Sequence, residues 1–282
     1  MLTEQQFQQY CQSIGLNAAD YKDAQPTLVV LMQFQYAQLK YYPFQSLSTV
    51  LHEPILLDDS VIFQKLVEDR RGGYCYELNS LLQSALRYLG FEVDTLSAYI
   101  VHDNAPERPK ARTHTLLKVV LDNQDYLVDV GFGGLVPTVP LKMEWDTVQQ
   151  TPHGLYKLTA FADKYVLSAE VKGQWQMLYA FDLSIQNSAD LEVGNWFVST
   201  HPHSPFRTRL MVSRIDDEGV RYSLLNTRYH RHQVGKDSQR QDIEGVDSLL
   251  TLLQDVFGIN TAAVDTPSDR EKLQLFLAEN KL

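Results

Sequence analysis

The residue best suited to covalent chemistry is Cys75, in the stretch RRGGYCYELNS at 70–80. An apolar repeat of helical spacing begins directly after it, so the thiol is predicted at or just before a helix N-terminus. Free N–H groups and the helix dipole favour an anion there, and the thiolate is the reactive form of cysteine. Gly72 and Gly73 permit a tight turn or a close approach by another segment. A cysteine that merely starts a helix is the alternative at this point.

A nucleophilic cysteine needs a general base, and the base needs a group that orients it. His114 lies in THTLLKVV and Asp129 in YLVDVGF, each inside an otherwise aliphatic predicted strand. Their opposite parity places both side chains on one face of a simple antiparallel hairpin. The polar turn DNQD at 122–125 predicts an offset of several residues between them, so contact requires a bulge or a skewed approach. Alone, a strand histidine or aspartate is more often structural, but together with Cys75 they predict a Cys-His-Asp site.

The bulk properties narrow the class of protein. The 282 residues are 44% hydrophobic and 21% charged, which is an ordinary soluble composition. A formal net charge of −10 argues against non-specific binding to nucleic acid. Two cysteines make neither a disulfide framework nor a cysteine-rich zinc site, and Cys11 is expected to be a small buried hydrophobe. With no leader-like N-terminus and no apolar run of membrane length, a cytoplasmic location is expected.

The coarse periodicity predicts an α+β chain. Helical spacing dominates 1–90, with helix candidates from Thr3 to Gly15 and from 27 to Pro43. After residue 90 the apolar residues alternate with polar ones at a period of two, so 91–200 is expected to be mostly β. A hairpin candidate and two helical segments follow, the last helix with Ser268 as its N-cap. The predicted units are therefore 1–90, 91–200 and 201–282.

Two further motifs are ambiguous from their residues alone. The stretch GFGG at 131–134 directly follows the Asp129 strand and could let a phosphate or thioester approach the backbone, although a plain glycine-rich turn is the commoner explanation. The pairs HPH and HRH could bind a metal, but surface histidines without acidic or cysteine partners are far commoner, so no metal is expected. The four histidines concerned are His201, His203, His230 and His232.

RRGGYCYELN, THTLLKV and YLVDVGFGG, in this order, resemble motifs of the arylamine N-acetyltransferases, as does NWFVSTHPHSPF at 195–206. The resemblance covers nearly the whole chain. It implies an N-terminal helical domain carrying the cysteine, a central β-barrel-like domain carrying the other two residues, and a C-terminal α/β lid, with a papain/transglutaminase-like Cys-His-Asp site. It implies an acetyl-CoA-dependent ping-pong transferase. Cys75 would carry the acetyl group, His114 would move protons, and Asp129 would hold His114.

The resemblance also implies the ligands. Acceptors would be arylamines, arylhydrazines or N-hydroxyarylamines, the last acetylated on oxygen, and a homodimer is an option. Arg71 and Glu77 match motif positions interpreted as structural supports of the cysteine loop. Acceptor-pocket aromatics are expected at Phe132 and Phe206, although core packing would explain them too. Acetyl-CoA is expected against Gly131, Gly133, Gly134 and Ser204. Its phosphates need donors, and the candidates, which could equally form a solvated strand face, are Arg207, Arg209, Arg228 and Arg231.

One stretch departs from the family pattern, and other functions stay open. In YYPFQSL at 41–47, Gln45 and Ser46 stand where the family usually has a glutamate and an asparagine. That change leaves the chemistry intact but puts local hydrogen bonding in question. The alternatives are a papain- or transglutaminase-like amide hydrolase, an amide synthase of the same fold, and a non-catalytic binding module. Dependence on CoA separates the transferase from the hydrolase.

Overall fold

The computed structural model describes residues 1–101, 104–107 and 111–280. The predicted α+β class and the helical N-terminal region are confirmed. A one-turn π-helix, Gln64–Glu68, follows the fourth helix and leads into the cysteine loop. The α-helices of the described residues are α1 (Glu4–Ser13), α2 (Leu28–Tyr41), α3 (Leu47–Val50), α4 (Asp59–Phe63), α5 (Cys75–Tyr88), α6 (Ser188–Thr200), α7 (Pro205–Thr208), α8 (Gly245–Asp255) and α9 (Pro267–Glu279).

The strands form two antiparallel sheets. The larger sheet, in the order β5-β4-β3-β2-β9-β8-β7-β6, is nearly closed and barrel-like. The smaller sheet has the order β1-β10-β11-β12-β13, so the N-terminal region contributes a short edge strand to the C-terminal sheet. The strands are β1 (Phe44–Gln45), β2 (Glu92–Ile100), β3 (His114–Leu121), β4 (Gln124–Val128), β5 (Leu141–Lys142), β6 (Gln149–Thr151), β7 (Gly154–Phe161), β8 (Lys164–Val171), β9 (Gln174–Ile185), β10 (Met211–Ile215), β11 (Val220–Leu225), β12 (Arg228–Gln233) and β13 (Gln239–Asp242).

The helix ends follow local capping chemistry. Thr3 caps α1 by accepting the N–H of Gln6, and Gly15, with φ +73°, lies just beyond its end, both as predicted. The predicted N-cap of the last helix is wrong. Thr266 accepts the Asp269 N–H at 3.2 Å, whereas Ser268 lies inside the first turn. A proline at the first helical position favours this earlier start because its φ is already helical.

Helix α6 was not expected within the segment predicted to be mostly β. Asn187 caps it by accepting the N–H groups of Ala189 and Asp190, at 2.9 and 3.1 Å. The Asp190 carboxylate in turn accepts the Asn187 N–H, which completes a capping box. This local signal starts a helix directly after the long strand β9. The division of the chain into three units stays a prediction.

Helix α5 is the main apolar link between the N-terminal helices and the larger sheet. Its predicted stripe is buried, with Leu78, Leu82 and Leu86 fully inaccessible, and it packs on β2 and β3. Cys11 lies in the same core, where burial raises the pKa of its thiol to about 12, as suits a small structural hydrophobe. In the described part of the chain, no helix is both long and apolar enough to cross a membrane.

Candidate active site

Cys75 is the first residue of α5 and is 2% exposed. The Glu77 carboxylate accepts a hydrogen bond from the backbone N–H of Tyr74 at 3.1 Å and forms an ion pair with Lys65 at 2.6 Å. These contacts fix the turn that positions the thiol. Gly72, with φ +64°, makes the bend before it. The thiol therefore sits among the free N–H groups of a helix N-terminus, as the sequence predicted.

His114 and Asp129 are brought into direct contact. His114 is the first residue of β3, Asp129 directly follows β4, and His114 Nε2 lies 2.7 Å from Asp129 Oδ2. The hairpin pairs Leu121 with Gln124, so its turn lies at 122–123, where both residues have positive φ. That turn is earlier than the centre of the polar DNQD run. The predicted offset of several residues is therefore wrong, because the true offset is two and a diagonal contact spans it.

The Asp129 carboxylate is fully buried and is surrounded by donors. Oδ2 also accepts the Tyr179 hydroxyl at 3.0 Å, while Oδ1 accepts the Gly131 N–H at 2.8 Å and the Asn79 amide at 3.3 Å. A buried carboxylate needs this set of partners to remain charged. The arrangement holds His114 by Nε2 and leaves Nδ1 as the nitrogen available to the thiol.

Asn79 and Tyr179 are site residues that the sequence reasoning missed. Asn79 lies one helical turn after Cys75 and donates to the Thr115 carbonyl at 2.7 Å, while its own oxygen accepts the Val130 N–H at 3.1 Å. A polar residue four positions after the cysteine, within an apolar stripe, was a signal that could have found it. Tyr179 comes from β9, far along the chain, and no local pattern identified it.

The charge on His114 is set by competing effects. Burial lowers the pKa of its imidazole, but the Asp129 carboxylate and the nearby Cys75 side chain raise it, with a net increase from 6.5 to about 10. The imidazolium is therefore the stable form at neutral pH. The imidazole lies between the Asp129 carboxylate and the Cys75 side chain, which is the order of orienting group, base and nucleophile expected for such a site.

We expect NMR of ¹⁵N-labelled histidine to show the His114 ring doubly protonated at pH 7. Because the pKa of His114 rises from 6.5 to about 10 on folding, this group stabilises the folded state fully below pH 6.5 and loses that effect as the pH approaches 10. In Cys75→Ser the uncharged hydroxyl removes one of the interactions that raise this pKa, so the titration midpoint should fall. A neutral ring at pH 7 in the wild type would contradict the ion-pair arrangement.

Gly131 places the loop after β4 directly against Cys75. A Cβ atom added at Gly131 would lie 2.4 Å from the Cys75 Cα and 2.8 Å from the Asn79 amide nitrogen. No side chain fits such a gap without a shift of the loop or of α5. The first glycine of GFGG is thus required by backbone packing on Cys75, whatever ligand the stretch contacts.

The thiol and the imidazole open into a cavity of about 670 Å³ between the two sheets. Phe132 and Phe206, the predicted acceptor aromatics, both line it and are half-buried. The Phe132 ring meets the His114 ring edge-on at 5.3 Å, and the Phe206 ring meets the Tyr74 ring edge-on at 5.8 Å. Apolar and aromatic walls around a few polar groups are typical of small-molecule sites.

The residues expected to face acetyl-CoA also lie at this cavity. Gly131, Gly133, Gly134 and Ser204 are on its wall, although the Ser204 hydroxyl is used to cap α7 and to donate to the Val198 carbonyl at 2.6 Å. Of the four candidate arginines, Arg209 lines the cavity. The others lie elsewhere in the described structure, at Arg207, Arg228 and Arg231.

Among the described residues, the histidine pairs lack further ligands, and the departing YYPFQSL stretch makes local hydrogen bonds. In the described part of the chain no group of three or more His, Cys, Asp or Glu side chains could hold a metal ion.

In the departing stretch, Gln45 donates to the Gly72 carbonyl at 3.2 Å, and Ser46 donates to the Arg209 carbonyl at 2.9 Å while accepting the Met211 N–H at 2.8 Å. Both substituted residues thus make local hydrogen bonds that support the cysteine loop and the cavity wall.

A family model described as N-acetyltransferase matches residues 27–266. The arylamine N-acetyltransferase of Mycolicibacterium smegmatis is 40% identical over 255 residues, which cover 89% of this chain and 90% of that protein. The arylamine N-acetyltransferase / N-hydroxyarylamine O-acetyltransferase of Salmonella typhimurium is 35% identical over 250 residues, covering 89% and 85%. The solved Mycobacterium marinum arylamine N-acetyltransferase in complex with CoA gives a TM-score of 0.89 at 37% identity, covering 98% of this chain and 100% of that one. The chain belongs to the arylamine N-acetyltransferase family, and its members are acyltransferases.

Proposed function

We propose that this protein transfers an acetyl group from acetyl-CoA to arylamines by a ping-pong route through an acetyl-Cys75 intermediate. The observation that carries the proposal is the convergence of a thiol at a helix N-terminus, the His114 imidazole and the buried Asp129 carboxylate bonded to it, at the end of one cavity. Family membership supports the same reaction, since the relatives' names specify arylamine N-acetylation.

In the first half-reaction the Cys75 thiolate attacks the thioester carbonyl and forms a new C–S bond. The bond from the acetyl carbon to the CoA sulfur then breaks, and the departing CoA thiolate takes the proton of the His114 imidazolium. Exchange of one thioester for another is nearly balanced, so a good nucleophile suffices. Asp129 keeps the imidazole ring in place while its charge changes.

In the second half-reaction the amine attacks the acetyl-Cys75 carbonyl. The now neutral His114 accepts the proton that the amine loses, the C–S bond breaks, and Cys75 leaves as the thiolate. The original imidazolium–thiolate pair is thereby restored. Each half-reaction uses the same base in opposite directions, so one histidine with a reversible protonation state serves both.

The cavity suits an aromatic acceptor. Phe132 and Phe206 line it, and a flat amine would gain stacking and burial against such rings. Arylhydrazines and N-hydroxyarylamines share that flat shape. The Salmonella relative's name includes O-acetylation of N-hydroxyarylamines, which supports the last class.

The same cavity suits an anionic donor. Among its lining residues in the described chain there is no carboxylate, whereas Arg209 and His203 lie on its wall, in a protein of formal net charge −10. Because the cavity lacks acidic groups, the phosphates of CoA bind more favourably there than on the rest of the acidic surface. The M. marinum relative is solved with CoA bound, which supports acetyl-CoA as the donor here.

The direct test is intact-mass spectrometry after mixing the purified protein with acetyl-CoA and no acceptor. We expect a gain of one acetyl group in the wild type, none in Cys75→Ala, and loss of the adduct when an arylamine is added. Such a result would establish donor, nucleophile and order together. A folded protein that neither gains the adduct nor releases CoA would refute the transferase and return attention to the amide hydrolase, which the relatives do not favour.

A further inference from the structure

Strands β10 and β11 have two chemically different faces. Leu210, Val212 and Leu224 pack on the apolar core beneath α8 and α9. The residues that alternate with them face the other way, and among these Ser213 and Ser223 line the cavity. The two serines are directly paired in the antiparallel register, so their hydroxyls lie side by side. A pair of adjacent hydroxyl groups thus forms part of the cavity wall.

These hydroxyls are available to a ligand. Ser213 is 8% exposed and Ser223 is half-buried, so both are largely removed from bulk water. Within the residues that the structure describes, neither hydroxyl forms a hydrogen bond with the protein. A hydroxyl on a cavity wall that has no protein partner can exchange water for a complementary ligand group. A ligand that reaches this wall with a donor or an acceptor is therefore favoured over an apolar one.

The loop after β4 connects the surroundings of Cys75 with those of the serine pair. Gly131 touches Cys75, while a Cβ placed on Gly133 would lie 3.5 Å from the Ser213 hydroxyl oxygen. Two residues of chain separate these glycines by at most about 7 Å. This upper bound places the serine pair at the other end of a short loop from Cys75, on the wall of the same cavity. Phe132 lies between the two glycines and offers a surface for an aromatic ring.

From this geometry we propose that Ser213 and Ser223 recognise the substituent opposite the amine of the acceptor. The enzyme then prefers arylamines that carry a hydroxyl or another hydrogen-bonding group at the para position. This inference rests on the proposed acetyl transfer and specifies its acceptor. A site that hydrogen-bonds a substrate hydroxyl discriminates strongly against the analogue that lacks it, since its own polar groups are left unpaired.

The test compares 4-aminophenol with 4-methylaniline, which have nearly the same shape and differ in the para hydroxyl. For the wild type we expect kcat/KM to favour 4-aminophenol. Each hydrogen bond contributes about fivefold, so the Ser213→Ala/Ser223→Ala variant should reduce the ratio of the two kcat/KM values by about 5-fold for one bond and about 25-fold for two. The rate of acetyl-enzyme formation and the KM for acetyl-CoA should not change. Ser268→Ala, on the exposed surface of α9, is the matched control.

The outcomes separate this inference from the proposed function. If both amines are acetylated but their ratio is the same in the wild type and the double variant, the serine pair is not a specificity determinant while acetyl transfer stands. If instead the KM for acetyl-CoA rises with that ratio unchanged, the hydroxyls bind the donor and the inference is wrong. If the acetyl-enzyme does not form in the wild type, both proposals fail. The single variants Ser213→Ala and Ser223→Ala provide the same readout should the double variant not fold.

Discussion

Replacement of Asp129 by asparagine is expected to lower the rate of acetyl-enzyme formation by about 10³- to 10⁴-fold, with the fold retained. In the wild type both carboxylate oxygens accept two hydrogen bonds, and Oδ2 receives those of His114 and Tyr179. An asparagine has a single acceptor oxygen, and we expect this oxygen to keep the hydrogen bond from the Gly131 N–H. Its amide N–H₂ would then face His114 Nε2, so the ring could no longer donate there. The imidazolium loses its counter-charge and the wrong tautomer is stabilised.

The measurement is the rate of acetylation by acetyl-CoA in a stopped-flow instrument, with the release of free CoA as the readout. Asp94→Asn is the matched control, because Asp94 also lies in the larger sheet and pairs with a cation, Lys118, at 3.0 Å, but does not line the cavity. It should remain within about twofold of the wild type, as expected for a surface ion pair. A rate for Asp129→Asn within tenfold of the wild type would show that His114 needs no orienting carboxylate.

Replacement of Gly131 by alanine is expected to lower the rate of acetyl-enzyme formation by at least about 10²-fold and to lower the melting temperature. The added methyl group would lie 2.4 Å from the Cys75 Cα and 2.9 Å from its Cβ, so the loop or the start of α5 must move. A displacement of about 1 Å at the reacting atoms is enough for a 10²-fold loss. Overpacking of this kind also destabilises the fold by about 1–3 kcal/mol.

Gly134→Ala is the stability control from the same loop. A Cβ at Gly134 meets nothing within 4 Å, so this variant should keep the wild-type melting temperature. Comparison of the two variants isolates the close approach at Gly131 from a general loss of loop flexibility. Wild-type acetylation by Gly131→Ala would mean that the loop does not position Cys75.

Much of the candidate site was predictable because its signals are local. The helix after Cys75, the strands carrying His114 and Asp129, and the caps at Thr3 and Gly15 all follow from periodicity and backbone chemistry within a few residues. The motif resemblance then indicated the family, which the relatives confirm. A missed helix, α6, shows where local reasoning was incomplete, because its Asn187 cap was also readable from the sequence.

Contacts between distant segments were decided by the tertiary structure alone. The offset of His114 from Asp129 depends on which two residues form the turn, and a polar run of four permits more than one choice. Tyr179 reaches Asp129 because β9 lies beside β2 in the sheet, an order that no local pattern specifies. The sequence by itself determined which groups are candidates for the chemistry, since residue type and local period fix these. Packing determined which groups hold and surround them, because such contacts depend on the register and order of strands far apart in the chain.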